Sequence, residues 1–482
     1  MRAAVRGGAR SECGGRYIWC PVRSCGRPTQ WPSSGRLFQD ELVATGYITP
    51  DPGAIKHGNA IRAAWRPHPS YSMRASRVGV CLALTLLAGC GERMRELPLV
   101  SFESHDAFTR ISPAGVLEPG TGEPPYLSCT TPGDGTPVVA VNSQPYEPPL
   151  DLSNRFLKVR LRVDKVMRLS DMEFHLFSDT ERTQAFVLRI PLLADEWANL
   201  LQDDEWATVT LSLGTARRTG DPDRSRIREI AWLVADRGSP DSLAPVRADW
   251  SELAAVDATR GIVTLTFDDG YEVHRSVAAP LMAQYGLRGT AYVMPDQVGA
   301  PGYMELTQLH ELQDRYGWDV AAHYLDSFTG MGSEVLEAVL LETRGFLQRE
   351  GFEGAEHLAY PLGKYDVRTV LPLVQRYFAT ARLASAGPET LPPGDPYRLR
   401  AVNVLPTTEP EEILEAALRA DINGEWLILM FHFLVESPAH ETEYALDKFT
   451  RTIELLANAP IEVRPLSEVW KRYGSRPAAP AR

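Results

Sequence analysis

From residue 258 onward, apolar runs of strand length alternate with helical patterns, and this alternation constrains the fold most strongly. Strands are predicted at 261–267 and 289–293, and helices at about 275–285, 306–316, 333–350, 366–377 and 410–420. Thr408 and Glu411 are the predicted capping-box pair of the last helix. Strands that alternate with helices pair in parallel, so we expect an α/β fold whose strand ends carry the chemistry.

The preceding region has a period of two. Leu157, Val159, Leu161 and Val163 alternate with charged residues, which is typical of a half-buried strand. Similar runs follow up to residue 250, whereas the Pro- and Gly-rich stretch 98–150 is predicted to be loop-like. The spacing of these strand runs predicts a β-sandwich, weakly similar to a jelly roll, over 98–255.

Two tryptophans of this region leave its role open. Trp206 and Trp232 could stack on sugar rings, but filling the core is the commoner use of such residues. The sandwich therefore either binds carbohydrate or only packs against the C-terminal part of the chain.

Charge is unevenly distributed along the 482 residues. The first 89 residues hold 12 basic and 4 acidic side chains, and the remainder holds 38 basic against 58 acidic. A body this acidic argues against nucleic-acid binding, which needs basic side chains to replace counterions. Uncharged or cationic substrates are the easier fit.

Residues 73–90 have the layout of an export signal. Met73 begins a short basic stretch, and an apolar run too short to span a bilayer follows it. The run ends in Leu87-Ala88-Gly89-Cys90, which resembles the lipobox of bacterial lipoproteins. We expect a signal peptide at 73–89 and a lipid anchor on Cys90, facing the periplasm or outer membrane in the cell envelope. A plain signal peptide in which Cys90 is incidental is the alternative.

Two further expectations concern the remaining N-terminal sequence and the cysteines. Residues 1–72, rich in Arg, Gly, Pro and Ser, are expected to be a disordered leader or a mis-started N-terminus. With Cys90 lipidated, Cys129 has no partner, so no disulfide framework is expected.

Four polar clusters follow apolar strand runs: Thr266–Gly270, Trp318–His323, Leu358–Asp366 and Trp426–His432. Adjacent carboxylates such as Asp268 and Asp269 are costly at a strand end unless a cation or a proton shares them. Neighbours in an extended segment point to opposite sides, so we expect Asp268 and Asp269 to have different roles. A simple Asp-Gly turn is the alternative, and a lone histidine such as His323 is more often structural than a metal ligand.

In their order and spacing, these clusters resemble the polysaccharide deacetylase family, carbohydrate esterase family 4, also called the NodB-homology domain. The resemblance covers residues 258–473, with Thr266–Gly270 matching the first motif, Pro361 and Gly363 the third, and the strand before His432 the last. It implies a distorted (β/α) barrel that hydrolyses N-acetyl groups.

The resemblance also implies a role for each matching residue. Asp268 would be the general base and His432 the general acid, while Asp269 and His323 would bind a divalent metal, with zinc as the expected ion. A backbone N–H of the turn after Tyr360 would hold the oxyanion. The predicted substrate-binding residues are Tyr360, Pro361 and Leu362. For Tyr360, as for Trp426, packing is the favoured alternative.

This chain departs from the family pattern at two positions. Ser327 stands where the family has a second histidine ligand, and Asp326 is the preferred substitute ligand. Ala359 stands where the family has an arginine that supports the base. Asp326, His274 and His440 are candidates to compensate for these losses.

The sequence therefore predicts an envelope enzyme that removes acetyl groups from an N-acetylated cell-surface or exported polysaccharide. One alternative is a glycan-binding lipoprotein that kept the fold and lost the metal site. Another is a hydrolase that acts on O-acetyl esters instead.

Overall fold

The structure is a computed structural model that describes residues 96–102, 105–238 and 243–474. The predicted leader, the signal peptide and Cys90 lie outside these residues. In the described ranges no helix has the length and apolar character needed to cross a membrane.

In the described residues, the N-terminal part contains twelve strands in two antiparallel sheets. The strands are β1 Glu96–Pro98, β2 Phe108–Arg110, β3 Val116–Pro119, β4 Leu127–Thr130, β5 Val138–Asn142, β6 Arg155–Val163, β7 Leu169–Phe177, β8 Ala185–Arg189, β9 Ala207–Ser212, β10 Arg217–Thr219, β11 Glu229–Asp236 and β12 Arg247–Asp257. One sheet has the order β3-β4-β12-β6-β9 with β1 added to β12, and the other has the order β10-β8-β7-β11-β5-β2.

Aromatic side chains join the two sheets. The ring of Trp250 on β12 lies 5.1 Å from Phe174 on β7 and 5.0 Å from Trp232 on β11, measured between centroids. Trp232 is therefore a core residue, whereas Trp206 is half-buried with the Arg162 guanidinium 4.8 Å from its ring centroid. The assignment of this two-sheet unit to a jelly-roll-like sandwich stays a prediction.

The prediction that 98–150 is loop-like is wrong for part of that stretch. Strands β2 to β5 lie in it, and β5 pairs with both β11 and β2. These strands have three to five residues each, between proline and glycine turns, so their apolar pattern is too short to show a period. Cys129 on β4 is buried and free of disulfides.

The C-terminal part is built on a parallel sheet, which confirms the predicted α/β arrangement. Its strands are β13 Ile262–Phe267, β14 Thr290–Val293, β15 Asp319–Ala322, β16 Gly354–Ala359, β17 Thr380–Arg382, β18 Val402–Asn403 and β19 Trp426–Phe431, with β20 Phe433–Val435 and β21 Glu443–Ala445 paired apart from it. The order is β17-β16-β15-β14-β13-β19-β18. Leu399 bridges to Arg382 at one end of the sheet, and Val402 pairs with Leu429 at the other. The segment between Leu399 and Val402 thus curls the sheet into a distorted barrel.

Seven α-helices accompany this sheet in the described residues. They are α1 Ala279–Gln284, α2 Leu306–Asp314, α3 Ser333–Arg349, α4 Val370–Tyr377, α5 Pro410–Asn423, α6 Leu446–Asn458 and α7 Leu466–Tyr473. A single π-helical turn, His274–Ala278, precedes α1. The sequence predicted α1 to α5 within a few residues but gave no indication of α6 and α7.

The predicted capping box of α5 is wrong by one residue. Glu409 is the N-cap, and its backbone N–H donates to the Glu412 carboxylate at 2.9 Å. Pro410 explains the shift, because its fixed φ and missing N–H suit the first helical position. Glu409 must then be the last residue with an extended backbone.

Buried polar bonds join the two parts of the protein. The Ser212 hydroxyl donates to the Glu425 carboxylate, which is fully buried. The same carboxylate accepts a hydrogen bond from Arg419 Nε at 3.3 Å. Arg400, paired with Glu389 at 2.7 Å, donates to the Thr210 carbonyl of β9 at 2.8 Å. Because buried charges without partners are costly, these networks fix how the two-sheet unit sits on the barrel.

Candidate active site

Three predicted site segments meet at the carboxyl edge of the parallel sheet. Asp268 and Asp269 follow β13, His323 follows β15, and His432 follows β19. Backbone bonds hold these ends in register: Asp268 N–H donates to the Phe431 carbonyl and His323 N–H to the Val293 carbonyl, each at 2.9 Å. The sequence prediction that these clusters share one edge is thus matched by their placement.

The predicted base, Asp268, forms a buried ion pair with Arg382. Arg382 Nη2 donates to Asp268 Oδ2, and the side chains are 1% and 5% exposed. The same guanidinium lies 5.1 Å from the Tyr292 ring centroid. A carboxylate this deeply buried needs a counter-charge, and Arg382 supplies it. The other oxygen, Asp268 Oδ1, is buried and has no hydrogen-bond partner in the described residues, which leaves it available as a proton acceptor.

Arg382 is the site residue that sequence reasoning missed. Ala359 on β16 and Arg382 on β17 are register partners in adjacent parallel strands. The guanidinium that the family pattern places at 359 therefore comes from the neighbouring strand. The available signal was an arginine ending the short run Thr380-Ala381-Arg382, but the strand is only three residues long and gives no period to recognise.

The predicted acid lies next to the predicted base. His432 Nε2 is 3.9 Å from Asp268 Oδ2. Burial lowers the pKa of His432 despite the two nearby aspartates, so its imidazole is neutral at neutral pH. A neutral imidazole beside a carboxylate can accept a proton that the carboxylate has taken up and pass it on.

His274 positions His432 and does not act as a substitute metal ligand. Its Nε2–H donates to the His432 carbonyl at 2.7 Å, and its ring lies 5.3 Å from Phe267 between centroids. Burial lowers the pKa of His274 to about 4, so the ring is a neutral donor. Its contact therefore fixes the backbone from which the His432 side chain projects.

Asp269 and His323 form the second pair of the site. His323 Nδ1–H donates to the Ala359 carbonyl at 2.9 Å, which turns Nε2 toward Asp269 Oδ1 at 3.5 Å. Burial acts to lower the pKa of His323, but the hydrogen bond and charge of Asp269 raise it overall. Burial acts to raise the pKa of Asp269, and His323 lowers it overall. Positive charge is therefore stabilised beside Asp269.

The structure does not bring Asp326 to this pair. Asp326 is exposed, and the described residues contain no group of three His, Cys, Asp or Glu side chains suited to hold a metal ion. Ser327 Oγ bonds to Thr329 Oγ1 at 2.8 Å instead, and His440 is exposed in a bend between β20 and β21. A hydrolytic metal site takes about three protein ligands, so Asp269 and His323 form an incomplete set.

Restoring an imidazole at position 327 is expected to strengthen metal binding. Ser327→His should lower the zinc dissociation constant at least about tenfold, because it adds a third ligand, an imidazole nitrogen, to Asp269 and His323. Asp326→Ala should leave it unchanged, since Asp326 lies outside the pair. Calorimetric titration of the parent and both variants measures this, and equal affinity of the parent and Ser327→His would show that position 327 does not face the pair.

The turn after β16 offers one accessible side chain. Tyr360 is 1% exposed and its hydroxyl donates to the Tyr397 carbonyl at 3.1 Å, so its predicted substrate contact is wrong and packing is its role. Pro361 is also buried. Leu362 is 68% exposed and adopts a left-handed conformation with φ of 57°. Trp426 is a packing residue, since its Nε1–H donates to Thr264 Oγ1 at 2.9 Å inside the core.

Comparison with known proteins identifies relatives of the C-terminal part of the chain. Residues 255–377 match the family model described as "Polysaccharide deacetylase". A curated relative, the putative polysaccharide deacetylase YxkH of Bacillus subtilis (strain 168), is 22% identical over 163 residues. This match covers 33% of the present chain and 57% of the relative, so the chain spans little more than half of that protein.

Solved structures of low similarity also match. One is the Xyl-CE4 domain of a multidomain xylanase from the hindgut metagenome of Trinervitermes trinervoides, with 14% identity, a TM-score of 0.33, and coverage of 45% of this chain and 92% of that one. Another is the Streptococcus pyogenes deacetylase PplD in complex with acetate, with 22% identity, a TM-score of 0.30, and coverage of 32% and 68%. The match of residues 255–377 and the curated relative together indicate a polysaccharide deacetylase domain in this segment.

Proposed function

We propose that the protein hydrolyses N-acetyl groups on a cell-surface or exported polysaccharide, at Asp268 and His432. The observation that carries the proposal is the arrangement of these two side chains. Asp268 has one oxygen fixed by Arg382 and one buried oxygen without a partner among the described residues, and His432 lies 3.9 Å away as a neutral imidazole. A base and a proton carrier at this separation suit the attack of water on an amide.

The residues suggest the following proton path. Asp268 Oδ1 accepts a proton from the attacking water, whose oxygen bonds to the acetyl carbon. The proton passes to His432 and then to the leaving nitrogen as the C–N bond breaks, which gives acetate and a free amine. The oxyanion contact is assigned to Leu362 N–H, because the turn itself uses Gly363 N–H and Lys364 N–H, which donate to Tyr360 O and Pro361 O at 2.9 and 3.0 Å.

The metal has no step in this path. Asp269 and His323 are the residues that would contact a divalent ion, zinc in the expectation from the family, and two ligands leave the set incomplete. Burial acts to lower the pKa of His323, but the Asp269 hydrogen bond and the charges of Asp268 and Asp269 raise it overall, so positive charge is favoured at this position.

The remaining parts of the proposal concern the polymer and the location. The N-acetyl group is uncharged, and an uncharged polymer suits a protein with a net charge of −12. We also propose that Cys90 carries a lipid that holds the protein in the cell envelope, and that the two-sheet unit is a β-sandwich that positions the polymer.

The second candidate function is a glycan-binding lipoprotein without activity. The observation that favours it is that Asp269 and His323 are joined by no third ligand in the described residues, with Ser327 at the position of the family's second histidine. An esterase acting on O-acetyl groups is a variant of the same chemistry, since both reactions release acetate.

Removing the proposed acid separates the enzyme from the binding protein. His432→Ala is expected to lower the rate of acetate release from an N-acetylglucosamine polymer at least about a hundredfold, because proton transfer contributes about 10²–10⁴-fold. His440→Ala is the matched control, since His440 is exposed, and it should keep the parent rate. Polymer binding without acetate release by the parent protein would favour the binding protein, and full activity of His432→Ala would remove His432 from the mechanism.

A further inference from the structure

A loop of the two-sheet unit lies against the turn that carries Leu362. The loop contains the short 3-10 helix Glu196–Ala198, and the Trp197 carbonyl accepts the Tyr365 N–H at 2.9 Å. Lys364 pairs with Asp195 at 2.5 Å, and the buried Tyr365 hydroxyl donates to the Leu200 carbonyl at 3.0 Å. The two parts of the protein therefore meet beside the candidate active site.

The loop is fixed internally as well. Asn199, 1% exposed, accepts the Leu193 N–H at 2.6 Å and donates to the Leu193 and Asp195 carbonyls at 3.1 and 3.0 Å. Asp195 also accepts the Trp197 N–H at 3.0 Å. Trp197 is thus presented on a backbone that is bonded on both sides, and a binding contact there would cost little ordering entropy.

Two exposed apolar side chains lie where this loop meets the turn. Trp197 is 39% exposed and is the most exposed tryptophan of the described residues, while Leu362 is 68% exposed. Leu362 is three positions after Ala359 and three positions before Tyr365. Its Cα therefore lies within about 10 Å of the Cα atoms of both residues. Since the Ala359 carbonyl holds His323, Leu362 follows the carboxyl end of the strand that helps to form the candidate active site, and Trp197 lies on the loop that is bonded to the same turn.

We propose that Trp197 and Leu362 form an apolar subsite for a sugar ring of the polymer next to the one that is deacetylated. The apolar face of a sugar ring packs on an indole ring, and aromatic side chains with few polar groups are typical of small-molecule sites. The inference rests on the proposed function, since the occupant is the polymer substrate. It gives the two-sheet unit a direct part in choosing polymers over single sugars.

The test compares an N-acetylglucosamine tetramer with the monomer. Trp197→Ala is expected to lower the ratio of kcat/KM for the tetramer to that for the monomer about tenfold, the size of a single aromatic contact. Trp197→Phe should recover most of this ratio. Leu243→Ala is the matched control, because Leu243 is 71% exposed in the same unit and belongs to no proposed site. An unchanged ratio in Trp197→Ala, with the thermal unfolding midpoint of the parent, would overturn the subsite.

Fluorescence separates this inference from the proposed function. The tetramer should change the tryptophan emission of the parent protein and should not change it in Trp197→Phe. If the parent releases no acetate from either sugar, the proposed function fails, and the emission change alone decides the subsite. Absence of any Trp197-dependent change on addition of the tetramer would overturn the subsite in that case too.

Discussion

Asp268→Asn is expected to reduce acetate release at least about a thousandfold. Asparagine keeps the shape of the side chain but cannot accept a proton from water, and general-base contributions reach about 10⁴-fold. KM should change little, because Asp268 contributes to the transition state and not to holding the polymer. The measurement is kcat and KM on an N-acetylglucosamine oligomer.

Structural controls accompany this variant, since Asp268 also pairs with Arg382. The tetramer affinity and the circular dichroism spectrum should match those of the parent protein. A loss of affinity equal to the loss of kcat/KM would indicate a damaged site, and activity within tenfold of the parent would show that another group is the base.

Arg382→Met is expected to destabilise the protein by about 3–5 kcal/mol, because it leaves the Asp268 carboxylate buried without a counter-charge. For a unit of this size the unfolding midpoint should fall by about 10 °C. Methionine has a similar length, so a cavity contributes little to the loss. Thermal unfolding followed by circular dichroism measures the effect, and kcat should fall as well because the base is no longer held.

Two double variants test whether the ion pair is the cause. Asp268→Asn with Arg382→Met should recover much of the stability, since the buried charge is gone, and the double-mutant cycle measures the coupling. Ala359→Arg with Arg382→Ala should recover part of both stability and activity, because the two positions are register partners. A wild-type midpoint for Arg382→Met alone would contradict the pairing seen in the structure.

The parts of the fold that sequence predicted are those with a long local pattern. The strand runs ending at Phe267 and Phe431 and the helices from Leu306 to Asn423 have enough residues to show their period. The polar clusters behind those strands placed Asp268, Asp269, His323 and His432 at one edge, because parallel strands share their carboxyl ends.

The parts that sequence missed depend on pairing between distant segments. Arg382 reaches Asp268 across 114 positions of the chain, and only the sheet register shows that it replaces the arginine absent at Ala359. Burial of Tyr360 and exposure of Asp326 likewise follow from packing against other segments, which a local pattern does not contain. The contact between Trp197 and Tyr365 joins two structural units and has no sequence signal at all.

The most direct test of the central claim is mass spectrometry of a purified N-acetylglucosamine oligomer after incubation with the parent protein, with released acetate and free amino groups measured on the same sample. The proposed reaction predicts one free amine for each acetate, the corresponding loss of acetyl mass from the sugar, and neither product with Asp268→Asn. An oligomer that keeps every N-acetyl group in the presence of the parent protein, while an O-acetylated oligomer loses its esters or neither sugar changes, would contradict it.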